Sequence, residues 1–385
     1  MYLAFFHPLA KVPGPKLYAL TDWFYLYYLA LGTWPYKVKT LHEKYGQTVR
    51  FSPNEVSTIQ PDAWKEVYGH KKESSQQYVK DPDFYDASAT PVKDIIHADN
   101  EGHKRMRRVM AHAFSEKALR GQADILGHHV DLFISQMTKK AAGHEPVDMT
   151  LWYNFATFDI VGHLAFGQSF QCLEKGVYDP AVAAIQNSIK FGTVGQIVCR
   201  HPWTEPIFKL LVPQQIVHDF NYNIDRGQDI VKDRIDRGSE AERQDLLDLV
   251  LRHNDEKGLS RDEIATNATT LIIAGSDTTS SILAGTTYFL LTNRDKYDRL
   301  VREIRERFEK EEDIDVLTVN ELPYLLAVFD ESFRMCRSLR SDDLIYLLPI
   351  VEAYFALQIP PSLSVSAALF HLEVVTSTAT SCPRM

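Results

Sequence analysis

The stretch Ala274-Gly275-Ser276-Asp277-Thr278-Thr279 lies inside a run, Ile264 to about Thr292, that is apolar on most sides. The periodicity of that run predicts a long, largely buried helix. A glycine inside a helix costs about 1 kcal/mol relative to alanine. Serine, aspartate and threonine are poor helix formers because their side chains compete for backbone groups. A carboxylate among hydroxyls on a buried helix also carries a desolvation cost. One use for such residues is chemical. The missing side chain at Gly275 lets a flat ligand press against the backbone, with Asp277 and Thr278 placed to bind water or pass protons beside it. The alternative is a small-residue segment packed closely on, or kinked against, a neighbouring helix.

Two further patterns have chemical content. Glu331-Ser332-Phe333-Arg334 puts a carboxylate and a guanidinium three residues apart, on one helix face. Taken alone it is equally a surface ion pair worth about 0 to 1 kcal/mol. In Asn100-Glu-Gly-His-Lys-Arg-Met-Arg-Arg-Val-Met110, His103 and Arg107 stand four apart and can clamp an anionic group, or can simply belong to a solvated basic helix.

The elements that must position these residues are mostly helical. Lys11-Val-Pro-Gly-Pro-Lys16 cannot be helical, since two prolines fix φ and remove donors. Thr48 to Ile59, with Ser52-Pro53-Asn54 as turn residues, reads as a small hairpin. Pro61 to Tyr68 starts a short helix with Gly69 as its stop. Ala123–Met137, Trp152–Phe166, Asp245–Leu251 and the charged segment Tyr297–Glu312 carry helical spacing. Ser260-Arg-Asp-Glu263 matches a capping box opening the long helix. The class is mainly α with a minor β part, with no internal repeat and no low-complexity tract.

Composition narrows the function classes. Apolar residues make up 45% and charged residues 24%, enough to build a packed core. A formal net charge of -9 supplies no basic field for nucleic acid. Four cysteines, Cys172, Cys199, Cys336 and Cys382, show neither paired zinc spacing nor a disulfide framework, which points to a reducing compartment. The apolar run Tyr2–Phe6 is far shorter than the roughly 20 residues a bilayer-spanning helix needs, and it lacks the features of a signal peptide.

Order and spacing join the three patterns. A proline-glycine lead-in, a basic helix near 105, an AGxDTT helix near 275 and an ExxR helix near 331 together resemble the cytochrome P450 superfamily. "HPLAKVPGPKL", "VRFSPNEVSTIQPDAWKEVYGH" and "GHKRMRRVMAHAFS" are most similar to its fungal secondary-metabolite members, over about His7 to Met335. The resemblance implies a single, mainly α domain with a small β part, the cytochrome P450 fold, and heme as cofactor. It implies a NADPH-cytochrome reductase as electron donor and an apolar small-molecule substrate that is hydroxylated or epoxidised. It assigns His103 and Arg107 to the heme propionates, though many relatives carry tryptophan at the position of His103. Ala274 and Gly275 would lie against the cofactor, with Gly275 opening the oxygen groove. Asp277 and Thr278 would deliver protons, and Glu331 with Arg334 would form a buried structural network. An endoplasmic reticulum membrane location is the family's usual one. No anchor segment is recognised here, which leaves a cytoplasmic location as the alternative.

The resemblance stops after Met335. The family's FxxGxRxCxG heme-ligand loop is not found, so no metal ligand is assigned and the axial cysteine is read as absent. Cys382 sits in Thr380-Ser-Cys-Pro-Arg-Met385, and Cys336 is too close to Arg334. The expected Tyr-Pro-Pro is replaced by Cys336-Arg-Ser-Leu-Arg340. If codon 336 is TGT, its last two bases can open a GT…AG intron closing on the CAG of Gln358. Removing those bases joins T to AT, restores Tyr, and shifts the frame so that Pro-Pro can follow. The expected organisation is therefore a lead-in at 1–16, a partial P450 domain at 17–335, and a tail at 336–385 of translated intron and shifted frame, poorly ordered. Three functions follow: a family member inactive as written, a correctly spliced and active fungal monooxygenase, or a non-catalytic helical remnant that binds apolar molecules or a partner protein.

Overall fold

The computed structural model describes residues 2–335 apart from 70–77, 86–91, 116–117, 119, 145, 184–194, 212–220, 222–224, 226–228, 230, 237–244, 311–312 and 316–317. The expectations for 336–385, its order included, lie outside the described residues. In chain order the elements are α1 (Tyr2–Phe5), α2 (Trp23–Ala30), α3 (Trp34–Tyr45), β1 (Thr48–Arg50), β2 (Val56–Thr58), α4 (Pro61–Tyr68), α5 (Pro82–Tyr85), α6 (Asn100–Met110), α7 (Ala123–Ala142) and α8 (Met149–Phe166). They continue with α9 (Cys172–Lys175), α10 (Glu205–Leu211), α11 (Leu246–Arg252), α12 (Arg261–Thr292), α13 (Arg294–Arg307) and α14 (Pro323–Met335). The mainly helical class with a minor β part is what the chain adopts. The chain forms two compact units, Met1–Asn100 with Gln186–Phe220, and Glu101–Ile185 with Asn221–Met385.

In the first unit, β1 and β2 pair antiparallel with Val49 opposite Ser57, at the place the turn residues predicted. Gly14 lies where a Cβ would collide with the carbonyl oxygen of Arg50, so the Pro-Gly-Pro lead-in runs flush against β1. Tyr18, Leu41 and Val49 form one small core, and Tyr25, Leu26 and Ile197 another. Arg200 holds this unit together electrostatically. Its side chain is 7% exposed, donates to both carboxylate oxygens of Glu55 at 2.8 and 2.9 Å, and lies over the Tyr25 ring. Those hydrogen bonds, led by Glu55, raise the Arg200 pKa despite its burial.

The second unit is organised around α8 and α12. Asp148 caps α8 by accepting from the Leu151 N–H, and Gly167 ends it in the left-handed conformation. Inside α8, Asp159 is 1% exposed and accepts the N–H groups of Cys172 and Leu173 at 3.1 and 2.8 Å. A buried carboxylate thus satisfies the start of α9, and burial raises its pKa. The charged helix differs from its expected span. It runs Arg294–Arg307 rather than Tyr297–Glu312, because Asn293 separates it from α12 and Phe308 is extended and buried. No helix among the described residues is long and apolar enough to cross a membrane.

Candidate functional site

The predicted capping box forms. The Ser260 hydroxyl accepts the Glu263 N–H at 3.2 Å, and Glu263 Oε2 accepts the Ser260 N–H at 2.8 Å. The same carboxylate receives Arg105 of α6 through two nitrogens, at 2.5 and 3.0 Å, while Arg105 Nη1 also donates to the Gly258 carbonyl. Its hydrogen bonds, first those from Arg105, hold the Glu263 carboxyl below its usual range. Arg108, one turn on, pairs through both nitrogens with Asp255 at 3.0 Å each. Met106 sits between them, its sulfur accepting from Asn267 Nδ2 at 3.7 Å. The start of α12 therefore sets the rotation of α6. At 100° per residue, Arg105 and Arg108 face the 255–263 segment, and His103 and Arg107 lie on the other side. Arg107 is exposed and has no ion-pair partner among the described residues; His103 is half-buried and engaged.

Mid-helix, α12 splits its signature residues between two faces. Ile272, Ser276, Thr279, Ser280 and Leu283 are buried on one side. Ala274 is exposed on the opposite side, flanked by half-buried Asp277 and Thr278. Gly275 lies toward α8: a Cβ there would meet Val161 Cγ2 at 3.2 Å. The structure thus puts Ala274, Asp277 and Thr278 on one outward face and sets Gly275 at the helix interface, which is the close-packing alternative for that glycine. Of the hydroxyls that disfavour a helix, those of Thr278 and Thr279 are absorbed by its own carbonyls, while the buried Ser276 Oγ has no hydrogen-bond partner among the described residues. Thr278 Oγ1 donates to the Ala274 oxygen at 2.5 Å and Thr279 Oγ1 to the Gly275 oxygen at 2.7 Å. Across the interface Ser280 Oγ donates to Asn154 Oδ1 at 3.0 Å, and the Tyr153 and Thr287 hydroxyls are 2.8 Å apart.

Glu331 and Arg334 form a two-pronged ion pair, 2.6 and 2.7 Å. They are not buried as expected, with side chains 60% and 65% exposed. The stripe that α14 buries is Leu325, Phe329 and Ser332, and the ion pair falls on the other face. The start of α14 is held by Glu303 of α13, which accepts the Tyr324 and Leu325 N–H groups at 2.9 Å each.

Two residues outside the predicted set bear on the site. Arg105, not singled out among the basic residues of α6, ties that helix to the start of α12 through Glu263 and the Gly258 carbonyl. Tyr178, edge-on to Phe155 at 4.9 Å, has its hydroxyl pKa pushed up to about 12 by burial and then by the charge of Asp277. No local pattern marked it.

A heme needs cations for its carboxylates and, for thiolate chemistry, a cysteine sulfur. The described residues fit the first requirement through Arg107. They do not fit the second. Cys172 is fully buried, its sulfur accepts the Asp179 N–H at 3.3 Å, and burial pushes its pKa up to about 12, so it stays a thiol. Cys199 is exposed in the other unit. Cys336 and Cys382 lie outside the described residues.

Comparison with known proteins bears on the family of the chain. The cytochrome P450 family model matches residues 15–341. The chain is 37% identical over 336 residues to cytochrome P450 monooxygenase astJ of Aspergillus oryzae (strain ATCC 42149 / RIB 40), covering 87% of this chain and 67% of the relative. It is 39% identical to cytochrome P450 monooxygenase astA of Talaromyces wortmannii with the same coverage. The trichothecene C-15 hydroxylase of Fusarium sporotrichioides is 35% identical, over 87% of this chain and 68% of that protein. The chain thus spans about two thirds of the length of these relatives.

Proposed function

The chain belongs to the cytochrome P450 family, and from that premise we propose that its fold serves a fungal secondary-metabolite monooxygenase that hydroxylates or epoxidises an apolar small molecule. The observation that carries the reading is the outward face of α12, where Ala274, Asp277 and Thr278 stand together and the Thr278 hydroxyl is tied to the Ala274 carbonyl at 2.5 Å. A bound heme supplies the activation of dioxygen. Around it this chain's own residues have simpler tasks. Arg107, with His103 beside it, binds the carboxylates. The small side chain of Ala274 lets a flat group approach the helix. Thr278 holds a proton at Oγ1 and Asp277 exchanges protons with water. Gly275 acts at one remove, by letting α8 and α12 close. Glu331 and Arg334 brace the segment that follows α14. A NADPH-cytochrome reductase at the endoplasmic reticulum membrane provides the electrons.

The residues that fit a heme do not include its sulfur ligand. The 385 residues contain no FxxGxRxCxG pattern. This polypeptide by itself is accordingly inactive as an oxygenase, and the active product is the one in which the bases encoding 337–358, together with the end of codon 336, are removed. The test is the carbon-monoxide difference spectrum of both polypeptides expressed with heme supply. The spliced product should give the band at about 450 nm that marks thiolate ligation, and the 385-residue chain should not. A clear band from the 385-residue chain would place a cysteine on the iron and overturn the reading, as would genomic DNA lacking GT and AG at the two junctions.

A further inference from the structure

Upstream of Thr278, α12 borders a small cavity to which no role has been given. It lies between the turn Ala111–Phe114, the end of α8, α11 and the first half of α12, all within one compact unit. Met110, Ala113, Val250, Leu259, Ala268 and Leu271 form much of its wall, and all but Leu271 are buried. About 20 Å3 of it is open to the centre of a water-sized molecule. That suffices for one molecule of one or two heavy atoms, since a single water needs roughly 10 to 15 Å3 by the same measure. Asn267 is the one polar side chain on the wall, and its amide nitrogen is taken by the Glu263 carbonyl at 2.7 Å and the Met106 sulfur at 3.7 Å. Among the described residues, none of the buried side-chain polar atoms without a partner lies on this wall. A buried water needs several polar partners, so the cavity disfavours water and favours an apolar occupant. We propose that this cavity binds dioxygen.

Size, polarity and position support this assignment. Dioxygen has two heavy atoms and no charge. It gives up little on leaving water, and it gains dispersion contacts with wall atoms that otherwise face empty space. The position ties the cavity to α12. Leu271 borders it, and Thr278 stands seven residues on, within about 20° of the same line and about 10 Å further along the helix axis. Ala274 and Gly275 fall between them, one turn from Leu271. The cavity thus sits on the helix stripe that leads to the residues assigned above to oxygen chemistry. Phe114, on the wall, is 47% exposed, which brings the rim to the surface where a dissolved gas enters. With two atoms in contact, binding is weak and exchange is fast, so the cavity is a way-station beside α12 and not a store. The choice of dioxygen among apolar gases rests on the monooxygenase reading; the dry, apolar character of the cavity does not.

The test uses the heme-free 385-residue chain with methyl-labelled methionine in a deuterated background. Nuclear magnetic resonance then reads the paramagnetic relaxation that dissolved dioxygen, under a few atmospheres of the gas, adds to each methyl. Met110 lines the cavity, whereas Met106, one turn earlier, is equally buried but does not line it, and so controls for burial. Met110→Leu and Met106→Leu assign the two signals. The expected result is an added relaxation at Met110 several times that at Met106. Ala268→Val fills the cavity and should remove the excess. Val250→Ala enlarges it and should increase the excess, which keeps the effect readable if the filled variant does not fold. Equal relaxation at Met110 and Met106, or an excess that neither folded variant changes, would mean a packing void only and overturn the proposal. Since no heme is present, this outcome is separate from the carbon-monoxide spectrum: a missing 450 nm band from the spliced product would count against the monooxygenase reading and leave the relaxation result standing.

Discussion

Arg105 and Arg107 stand two residues apart on one helix and are put to opposite uses. Arg105 is spent on Glu263 and the Gly258 carbonyl, so its loss would strand a partly buried carboxylate. Arg105→Ala is expected to lower the unfolding free energy by about 1 to 2 kcal/mol, measured by urea denaturation. Arg107 is exposed with no partner among the described residues to lose, so Arg107→Ala should leave stability within about 0.5 kcal/mol. The same substitution should weaken heme retention by the spliced product, followed by heme absorbance. Unchanged retention would remove Arg107 from the propionate assignment. Cys172 shows the same dependence on surroundings: its residue type is a heme-iron ligand's, and its burial makes it an inert core thiol.

Helix against helix, the clearest constraint is Gly275 on Val161. A methyl at 275 gains helix propensity but meets Val161 at 3.2 Å, so a larger side chain must push α8 and α12 apart. Gly275→Leu should cost about 1 to 3 kcal/mol, and adding Val161→Ala should recover part of it, a coupling that a double-mutant cycle measures. If the two costs simply add, the glycine is not there for packing. The α7–α8 contact carries a pH dependence. His129 is 2% exposed, with its Nε2 3.1 Å from His163 Nδ1. Burial first, then His163 and His128, depress its pKa from 6.5 to about 4. The native state keeps this ring neutral while the unfolded chain protonates it, so the unfolded state binds more protons between those two values. Stability should be fully present above about pH 6.5 and fall as the pH drops toward 4, by up to about 3 kcal/mol. Urea midpoints across that range should show the slope in the parent and a flatter profile in His129→Gln.

Over the whole molecule, the second unit buries the long segments, with Phe155 and Phe158 of α8 and Ile282 of α12 almost without exposure. The first unit relies more on short elements and on the Arg200 network. Amide hydrogen exchange should therefore be slowest in α8 and in the α8-facing half of α12, and faster in α1, α4 and α10, whose large apolar residues are largely exposed. Equal protection of α4 and α8 would contradict this ranking. A net charge of -9 predicts no salt-dependent retention on DNA, which a filter-binding assay checks.

What the sequence determined by itself was local and periodic. Hydrophobic spacing located the long helices, Ser52-Pro53-Asn54 the hairpin, and Ser260 with Glu263 the start of α12, because each depends on residues within one or two turns of one another. The AGxDTT and ExxR patterns pointed to the family, and their separation made the signal specific. The tertiary structure alone decided direction. That Ala274, Asp277 and Thr278 face away from α8 while Gly275 faces it, that Arg105 rather than Arg107 is tied down, and that Glu331 and Arg334 lie on the exposed side of α14 all depend on how helices are rotated against one another. Contacts 34 residues apart, as between His129 and His163, or 158 apart, as between Arg105 and Glu263, set those rotations, and no local pattern encodes them.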